Sequence, residues 1–224
     1  MSRIAVIDLG TGNLRSVARA LETVAGAGCE VRVTESADEV ARADRVVFPG
    51  QSAIGSVMAR LHGNPELQEA LREAVQRKPF LGICIGLQAL YRHSTEDGGV
   101  ECLGVLDGEV RHFLEASGER QSALIDPRTG ARLKVPHMGW NTVRLDRDHP
   151  LWRGIEPDSW FYFVHSYCAF PEAPGEVFGT TTHGVDFVAA AGRDNVFAVQ
   201  FHPEKSQKNG LELLGNFVNW DGAS

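Results

Sequence analysis

One cysteine of the sequence lies between two glycines, where a buried strand gives way to a helix. The stretch Gly82-Ile-Cys84-Ile-Gly86 joins an apolar run, residues 80–83, to helically spaced leucines. Small residues two positions either side of a nucleophile let the chain turn sharply and hold it in a strained conformation above a sheet. The start of a helix favours a thiolate, and the N–H of Ile85 points to where an oxyanion would form. The pattern therefore predicts a nucleophile at Cys84, rather than an ordinary core cysteine.

A candidate base for this thiol lies near the other end of the chain, in Phe201-His202-Pro203-Glu204. Pro203 disfavours helix at His202, and an extended backbone puts residues i and i+2 on the same side, so Glu204 can orient the imidazole. The segment follows the last predicted strand, and the carboxyl ends of parallel strands gather at one edge of a sheet. We therefore predict a Cys84, His202 and Glu204 triad. A metal site of the same residues is an alternative, but no further ligand has recognisable spacing.

Two further loops carry glycines. Residues 48–53, Phe-Pro-Gly-Gln-Ser-Ala, end another predicted strand, and their flexible backbone can supply a second oxyanion N–H. The turn Gly10-Thr-Gly12 half-resembles a dinucleotide fingerprint, but Arg15 stands at the third glycine position. We interpret that turn as structural or as an interface loop.

The elements that must position these residues follow from the apolar patterns. Buried strands alternate with helices in the first half, which predicts a three-layer α/β/α sandwich with a mainly parallel sheet. The predicted strands there are residues 4–7, 31–33, 45–48 and 80–83, and the helices are residues 13–25, the segment 67–75 capped by Asn64 and Pro65, and the segment through Leu87 and Leu90.

Strands outnumber helices in the second half, so antiparallel strands are expected to extend the sheet. These strands are residues 142–145, 161–164, 177–181, 187–190 and 196–200. Ser206 is predicted to cap a final helix, and the polar segment 115–132 is predicted to be a surface excursion.

Composition limits the function further. The 224 residues carry a net charge of −7, with no run of Lys or Arg longer than a pair, which argues against nucleic acid or an anionic membrane as the main partner. The length suits a single domain over residues 1–224. Four cysteines without a C-x-x-C pair indicate free thiols, and no apolar stretch approaches the ~20 residues that span a bilayer, so we expect a cytoplasmic protein.

Taken together, the motifs closely resemble the class I (triad) glutamine amidotransferases, and within them the glutaminase subunits of imidazole glycerol phosphate synthases in histidine biosynthesis. The motifs of the whole class are those around Cys84 and His202. The blocks that narrow the resemblance are Asp8-Leu-Gly-Thr-Gly-Asn-Leu-Arg-Ser16, Pro136-His-Met-Gly-Trp-Asn141, Phe163-Val-His-Ser-Tyr167 and His202-Pro-Glu-Lys-Ser206. They occur in the family's order over nearly the whole chain.

The resemblance implies that Cys84 attacks the side-chain amide of L-glutamine, while His202 exchanges the proton and Glu204 holds the imidazole. The products would be L-glutamate and ammonia, and no cofactor or metal is expected. The residues that it assigns to the glutamine and the oxyanion are Gly50, Gln51, Ile85, Gln88, Ser166 and Tyr167. Where the family commonly has Val-Gly after Pro49-Gly50, this chain has Gln51-Ser52.

The resemblance also implies a partner, the (β/α)8-barrel cyclase (synthase) subunit, bound as a heterodimer. Ammonia would pass through a channel to this partner, which makes imidazole glycerol phosphate and aminoimidazole carboxamide ribonucleotide. A chain of this length leaves no room for the ammonia acceptor. The docking candidates are Asn13, Met138, Trp140 and Lys205, with core packing as the alternative for Met138 and, less so, for Trp140.

Two other functions remain as alternatives. One is a cysteine hydrolase on the same fold, such as an intracellular peptidase. The other is a nucleotide-binding or regulatory module built on Gly10-Thr-Gly12. The residues without the resemblance predict only a cysteine-dependent acyl transferase or hydrolase on an α/β sandwich.

Overall fold

The first half of the chain alternates strands and helices as its sequence predicts. The computed structural model describes residues 2–10, 12–116, 124–126 and 129–223. The elements of this half are β1 Ser2–Ile7, α1 Leu14–Ala25, β2 Cys29–Thr34, α2 Ala37–Arg42, β3 Arg45–Gly50, α3 Ile54–His62, α4 Pro65–Arg77, β4 Phe80–Cys84 and α5 Ile85–Leu90. None of the helices in the described ranges combines the length and apolar character needed to cross a bilayer.

Strands dominate the second half. Its elements are β5 His93–Ser94, β6 Val100–Glu101, β7 Gly108–His112, α6 Phe113–Ala116, β8 Leu124–Ile125, β9 Arg132–Leu133, β10 His137–Leu145, β11 Ser159–His165, β12 Tyr167–Pro171, β13 Val177–His183, β14 Val185–Arg193, β15 Val196–Val199 and α7 Gln207–Asn219. The predicted excursion 115–132 falls partly outside the described residues, and β8 and the start of β9 lie in its described part.

A sheet of nine strands runs through both halves, in the order β11-β10-β13-β14-β15-β4-β3-β1-β2. The strands from β15 to β2 are parallel, and the strands from β11 to β15 pair antiparallel. A smaller sheet has the order β12-β7-β5-β6. The predicted sandwich, with a parallel sheet extended by antiparallel strands, is therefore confirmed.

Both faces of the parallel strands are buried. On β1, Ile4 and Val6 pack on one side with α1 and α7, whereas Ala5 and Ile7 pack on the other side with α3 and α4. Successive side chains of a strand point to opposite faces, so a continuous apolar run is the pattern that two covering layers require. This is why short apolar runs without alternation identified these strands.

Three neighbouring strands end at the same level of the sheet. In the register of the parallel pairs, Gly50 at the end of β3 lies beside Cys84 at the end of β4, and Val199 of β15 lies beside Ile83. The loops that follow these three strands therefore leave from one edge. This edge is where the sequence placed the nucleophile, the base and the glycine loop.

Two predicted helix caps have different outcomes. The Asn64 side chain accepts from the Leu67 N–H at 3.1 Å, as predicted for the start of α4. Ser206 occupies the N-cap position of α7, but its hydroxyl makes no cap hydrogen bond. It donates to the His202 carbonyl at 2.6 Å and accepts from the Tyr162 N–H at 3.0 Å. The predicted Ser206 cap is therefore wrong, because the His202 carbonyl and the Tyr162 N–H hold its hydroxyl.

Candidate active site

Cys84 has a backbone conformation that side chains rarely adopt. As the last residue of β4 it has φ 54° and ψ −99°, and Ile85 begins α5 directly after it. A non-glycine residue outside the common regions costs on the order of 1–3 kcal/mol and persists only where its surroundings impose it. The predicted strained turn at Cys84 is present, and it places the thiol at the carboxyl edge of the sheet.

Close backbone contacts impose this turn. A Cβ built at Gly86 would overlap the carbonyl oxygen of Phe48 in β3, and one at Gly82 would lie 2.9 Å from the backbone of Gly86. The first turn of α5 therefore lies directly against β3 and β4. Both glycines are required because no space remains for a side-chain carbon, and the result is a fixed direction for the Cys84 side chain.

His202 and Glu204 meet at the same edge. His202 has an extended backbone, its Nδ1 lies 2.9 Å from Glu204 Oε1, and the two side chains are 2% and 0% exposed. Glu204 lies in a 3₁₀ turn, Pro203–Lys205, so a turn and not strand alternation brings the carboxylate back to the ring. The His202 N–H donates to the Tyr162 carbonyl at 2.8 Å, which anchors the segment to β11.

Asn13 holds the carboxylate from the other side. Its Nδ2 donates to Glu204 Oε1 at 2.5 Å, the same oxygen that His202 Nδ1 contacts. Because a carboxylate only accepts, Nδ1 of His202 carries the proton in this contact, and Nε2 is the nitrogen left for another partner. Asn13 was predicted as a docking residue, and its contact with Glu204 was not foreseen. Docking by Asn13 stays a prediction.

The surroundings of His202 favour its charged form. Burial lowers the pKa of His202, but the Cys84 thiolate and the Glu204 carboxylate, each also hydrogen-bonded to the ring, outweigh burial and raise the pKa to about 10. At neutral pH His202 is therefore an imidazolium, which lies between Cys84 and Glu204. Such a group can give a proton to a leaving amine and later take one from water.

Gln51 contacts the same ring with its side chain. Its Nε2 lies 3.3 Å from Nδ1 and 3.5 Å from Nε2 of His202, so the amide sits beside Cε1, between the two ring nitrogens. The sequence predicted an oxyanion role only for the Gly50-Gln51 peptide. This peptide follows the residue that pairs with Cys84 in the sheet, so it adjoins the elbow.

A cavity of about 330 Å³ opens beside Cys84. Five of the residues predicted to hold glutamine or the oxyanion line it: Gln51, Ile85, Gln88, Ser166 and Tyr167. Gly50 lies behind this lining, at the end of β3. Gln88 donates its Nε2 to the Tyr167 carbonyl at 3.0 Å and to Gln200 Oε1 at 3.2 Å. The side-chain N–H groups of Gln88 therefore donate to other groups of the protein, and its side-chain carbonyl oxygen is left to accept a hydrogen bond from a ligand.

Two further residues of the site, Glu96 and Gln200, were not predicted from the sequence. Glu96 lines the cavity, half-buried, and accepts from the Ile54 N–H at 2.9 Å; burial raises the pKa of its carboxyl. Gln200 is fully buried and its Nε2 lies 3.6 Å from Cys84 Sγ. Glu96 lies in a glycine-rich loop sequence without a periodic signal. Gln200 had a signal, since it is the one polar residue in the apolar run 196–201.

Two of the docking candidates, Met138 and Trp140, lie on strand β10. Met138 and Trp140 share one face of β10 and are 63% and 41% exposed, so the alternative of core packing is wrong for both. Trp160, which is 55% exposed, lies on the same side of the adjacent strand β11. Lys205 ends the 3₁₀ turn that carries Glu204. We name the exposed face formed by Met138, Trp140 and Trp160 the aromatic face.

Comparison with known proteins agrees with this geometry. The model of the family "Glutamine amidotransferase class-I" matches residues 5–220. Solved structures with a similar fold include PurLQS from Thermotoga maritima, with a TM-score of 0.67 at 16% identity over 97% of this chain and 98% of that one. The glutaminase domain of Trypanosoma brucei CTPS has a TM-score of 0.63 at 14% identity, covering 99% and 95%. The chain belongs to the class I glutamine amidotransferases.

Proteins that are about 50% identical to this chain identify one family within the class. Imidazole glycerol phosphate synthase subunit HisH of Methylococcus capsulatus is 50% identical over 222 residues, covering 99% of this chain and 98% of the relative. The protein of the same name from Dechloromonas aromatica is 53% identical over 217 residues, covering 97% and 96%. Within the class, the chain is therefore a member of the HisH family.

The close contact between Gly86 and the Phe48 carbonyl leads to a prediction about stability. The substitution Gly86→Ala places a Cβ on the Phe48 carbonyl, so we expect the free energy of unfolding to fall by about 3 kcal/mol or more. Urea unfolding followed by circular dichroism measures this. The control is Gly28→Ala, where an added Cβ meets nothing within 4 Å and the expected change is within about 0.5 kcal/mol. Equal stability of the two variants would contradict the elbow geometry.

The charged state of His202 makes a pH prediction. In the wild-type protein the His202 ring should titrate near pH 10, as followed by NMR of its carbon-bound protons. Because the folded pKa lies above the ordinary 6.5, the stability contributed by His202 is complete below pH 6.5 and is lost as the pH rises towards 10. Glu204→Gln should lower the midpoint, since it removes the carboxylate charge beside the ring.

The control for this titration is Glu212→Gln, an exposed carboxylate on α7. It should leave the His202 midpoint unchanged. An unchanged midpoint in Glu204→Gln would show that the carboxylate does not hold the imidazolium.

Proposed function

We propose that this chain is the glutaminase subunit of an imidazole glycerol phosphate synthase, and that Cys84, His202 and Glu204 are its catalytic triad. The observation that carries the proposal is the strained elbow residue Cys84, which lines a cavity and lies against the buried pair of His202 and Glu204. Its reaction is the hydrolysis of L-glutamine to L-glutamate and ammonia. Perturbed titrating groups beside a cavity are typical of an active site, and the family membership names the chemistry.

The first half-reaction forms a thioester. The Cys84 sulfur attacks the side-chain carbonyl carbon of glutamine, and the negative charge on the oxygen is stabilised by the N–H of Ile85 and the Gly50-Gln51 peptide. His202 then gives its proton to the nitrogen, the C–N bond breaks, and ammonia leaves. The strained elbow contributes by fixing the sulfur before the substrate arrives.

The second half-reaction releases glutamate. His202, now neutral, takes a proton from water, which attacks the thioester carbon, and the C–S bond breaks to restore the Cys84 thiolate beside the imidazolium. Glu204, held by Asn13, keeps Nδ1 protonated throughout, so Nε2 is always the nitrogen that exchanges the proton.

Two side chains of the cavity can bind polar groups of glutamine. Glu96 supplies a half-buried carboxylate for the α-ammonium group, and Gln88 supplies a carbonyl oxygen. The backbone of Ser166 and Tyr167 forms the wall opposite the elbow. A carboxylate at this depth discriminates glutamine from uncharged amides, because only an ammonium group compensates its buried charge.

The ammonia acceptor lies on a partner, which we propose is the cyclase subunit bound to the aromatic face. Exposed tryptophan and methionine are enriched in the anchors of protein interfaces. Met138 lies directly across from Val164, which lines the glutamine cavity. A partner that covers the aromatic face therefore also covers the mouth of the cavity, where ammonia is released. Asn13 and Lys205 adjoin this edge and remain docking candidates.

We also propose that residues 1–224 form a single domain and that the enzyme is cytoplasmic. Support for the domain comes from the sheet, which combines strands of both halves, and from the family match over residues 5–220. Support for the compartment comes from the four cysteines, all free in this structure, since a thiolate nucleophile must stay reduced.

The function is tested with purified protein and the cyclase subunit. Cys84→Ala should form the same complex on size-exclusion chromatography but release ammonia from glutamine at least about 10³-fold more slowly, because no thioester can form. The control is Cys29→Ala, at the start of β2 on the far edge of the sheet, which should keep full activity. Undiminished ammonia release by Cys84→Ala would overturn the assignment.

The assignment of Glu96 is tested separately. Loss of a charge-assisted contact with the ammonium group should raise the KM for glutamine about 10- to 100-fold in Glu96→Gln, with a smaller effect on kcat. Because burial raises the Glu96 pKa, the wild-type KM should also rise as the pH falls and the carboxyl is protonated. Glu101→Gln, an exposed carboxylate on β6, is the control. An unchanged KM in Glu96→Gln would place the ammonium group elsewhere.

A further inference from the structure

Two buried histidines outside the triad link the aromatic face to the glutamine cavity: His137 directly precedes Met138, and His165 itself lines the cavity. His137 of β10 and His165 of β11 are cross-strand partners, and they are 5% and 6% exposed. His137 Nδ1 lies 3.1 Å from His165 Nε2. The rings of Phe113, Phe163 and Phe187 surround them. Burying a polar ring among apolar groups costs free energy unless the ring is hydrogen-bonded. The partners of both rings therefore have to be identified.

The hydrogen bonds of the pair have a fixed direction. His165 Nδ1 lies 2.8 Å from the Tyr167 carbonyl, which can only accept, so Nδ1 carries the proton. Burial lowers the pKa of His137 to about 2 and that of His165 to about 3, so both rings are neutral. A neutral His165 therefore accepts at Nε2 from His137 Nδ1. The other nitrogen of His137 then accepts from Asn141 Nδ2 at 3.4 Å.

The chain of hydrogen bonds continues to the proposed nucleophile. The Tyr167 carbonyl accepts a second bond, from Gln88 Nε2, and Gln88 also donates to Gln200. Gln200 donates in turn to Cys84 Sγ. The Tyr167 carbonyl is thus the point where the histidine pair and the amide pair meet, and the two donors together fix the orientation of the peptide that lines the cavity.

The pair is not arranged as a metal site. A third histidine, His183, stacks on His137 at 4.1 Å but directs Nε2 to the Lys134 carbonyl at 2.9 Å. Within the part of the chain that the structure describes, no group of three or more possible ligands is placed to hold a metal ion. The nitrogens of His137 and His165 are used within the protein, as expected of groups that position a backbone.

We propose that His137 and His165 are positioning residues for glutamine hydrolysis, which hold the Tyr167 carbonyl, and through it Gln88, in the geometry that binds glutamine beside Cys84. The proposal rests on the glutaminase function proposed above. As a consequence, His137 on β10 and the Tyr167 peptide of the cavity wall belong to one set of connected hydrogen bonds. His137 directly precedes Met138 of the aromatic face, so the partner binds next to the start of this set.

The test uses two substitutions at one position in the complex with the cyclase subunit. His165→Asn keeps an N–H donor near the place of Nδ1, whereas His165→Phe keeps the aromatic packing and removes the donor. A positioning role predicts a KM for glutamine about tenfold higher in His165→Phe and within about threefold of wild type in His165→Asn. A packing role predicts the reverse order, and that order would overturn the proposal.

A matched control is His149→Phe. His149 is also buried among aromatic rings, stacked on Phe197, but it belongs to another part of the core. Its KM should stay at the wild-type value although its stability changes. If His165→Phe does not fold, His137→Phe and His137→Asn form the equivalent pair, with the same expected order of KM values.

A second measurement separates this proposal from the glutaminase assignment. Long-range ¹H–¹⁵N correlation at pH 7 should show His165 as the neutral Nδ1–H tautomer, whether or not the protein is active. An Nε2–H tautomer or a charged ring would overturn the hydrogen-bond chain. An inactive wild-type complex would overturn the proposed function, and an active one in which His165→Phe keeps the wild-type KM would overturn the positioning role.

Discussion

The site depends on one charged ring enclosed between Cys84 and Glu204. Burial opposes the charge of His202, so the ring stays protonated only because Cys84 and Glu204 both lie against it. Hydrogen bonds from neighbours support this buried network: Asn13 donates to Glu204 Oε1 and Gln200 donates to Cys84 Sγ, whereas Glu204 Oε2 is buried without a partner among the described residues. Much of the polar structure at this edge of the sheet thus serves to keep one proton in place.

The fold assembles this network from distant parts of the chain. β3, β4 and β15 are neighbours in the sheet although about 100 residues separate β4 from β15 in sequence, and their ends lie at one level. The antiparallel extension adds β11, whose Tyr162 accepts from the His202 N–H. The parallel strands therefore position Cys84 and His202. The antiparallel strands anchor the His202 backbone and carry the aromatic face.

The sequence predicted what depends on local pattern. The buried strands followed from apolar runs, and the elbow at Cys84 followed from its glycines, because the cause of each lies within a few residues. Ser206, Asn13 and Glu96 were misjudged or missed for the opposite reason: their partners Tyr162, Glu204 and Ile54 lie 40 or more residues away. The histidine pair is of the same kind, since only the register of β10 and β11 brings it together. Residues 117–123 of the predicted excursion lie outside the described part.

The position of β11 in the sheet has a consequence for handling the isolated subunit. β11 is an outermost strand of the nine-stranded sheet, and Trp160, on the strand itself, is more than half exposed. The outer backbone groups of β11 are paired with the segment that follows β15, since the Tyr162 carbonyl accepts from the His202 N–H and the Trp160 carbonyl accepts from Asn209 Nδ2. What this strand leaves open is therefore apolar side-chain surface, which favours association. The isolated subunit is therefore expected to self-associate at high concentration through the aromatic face, whose three apolar side chains are all exposed.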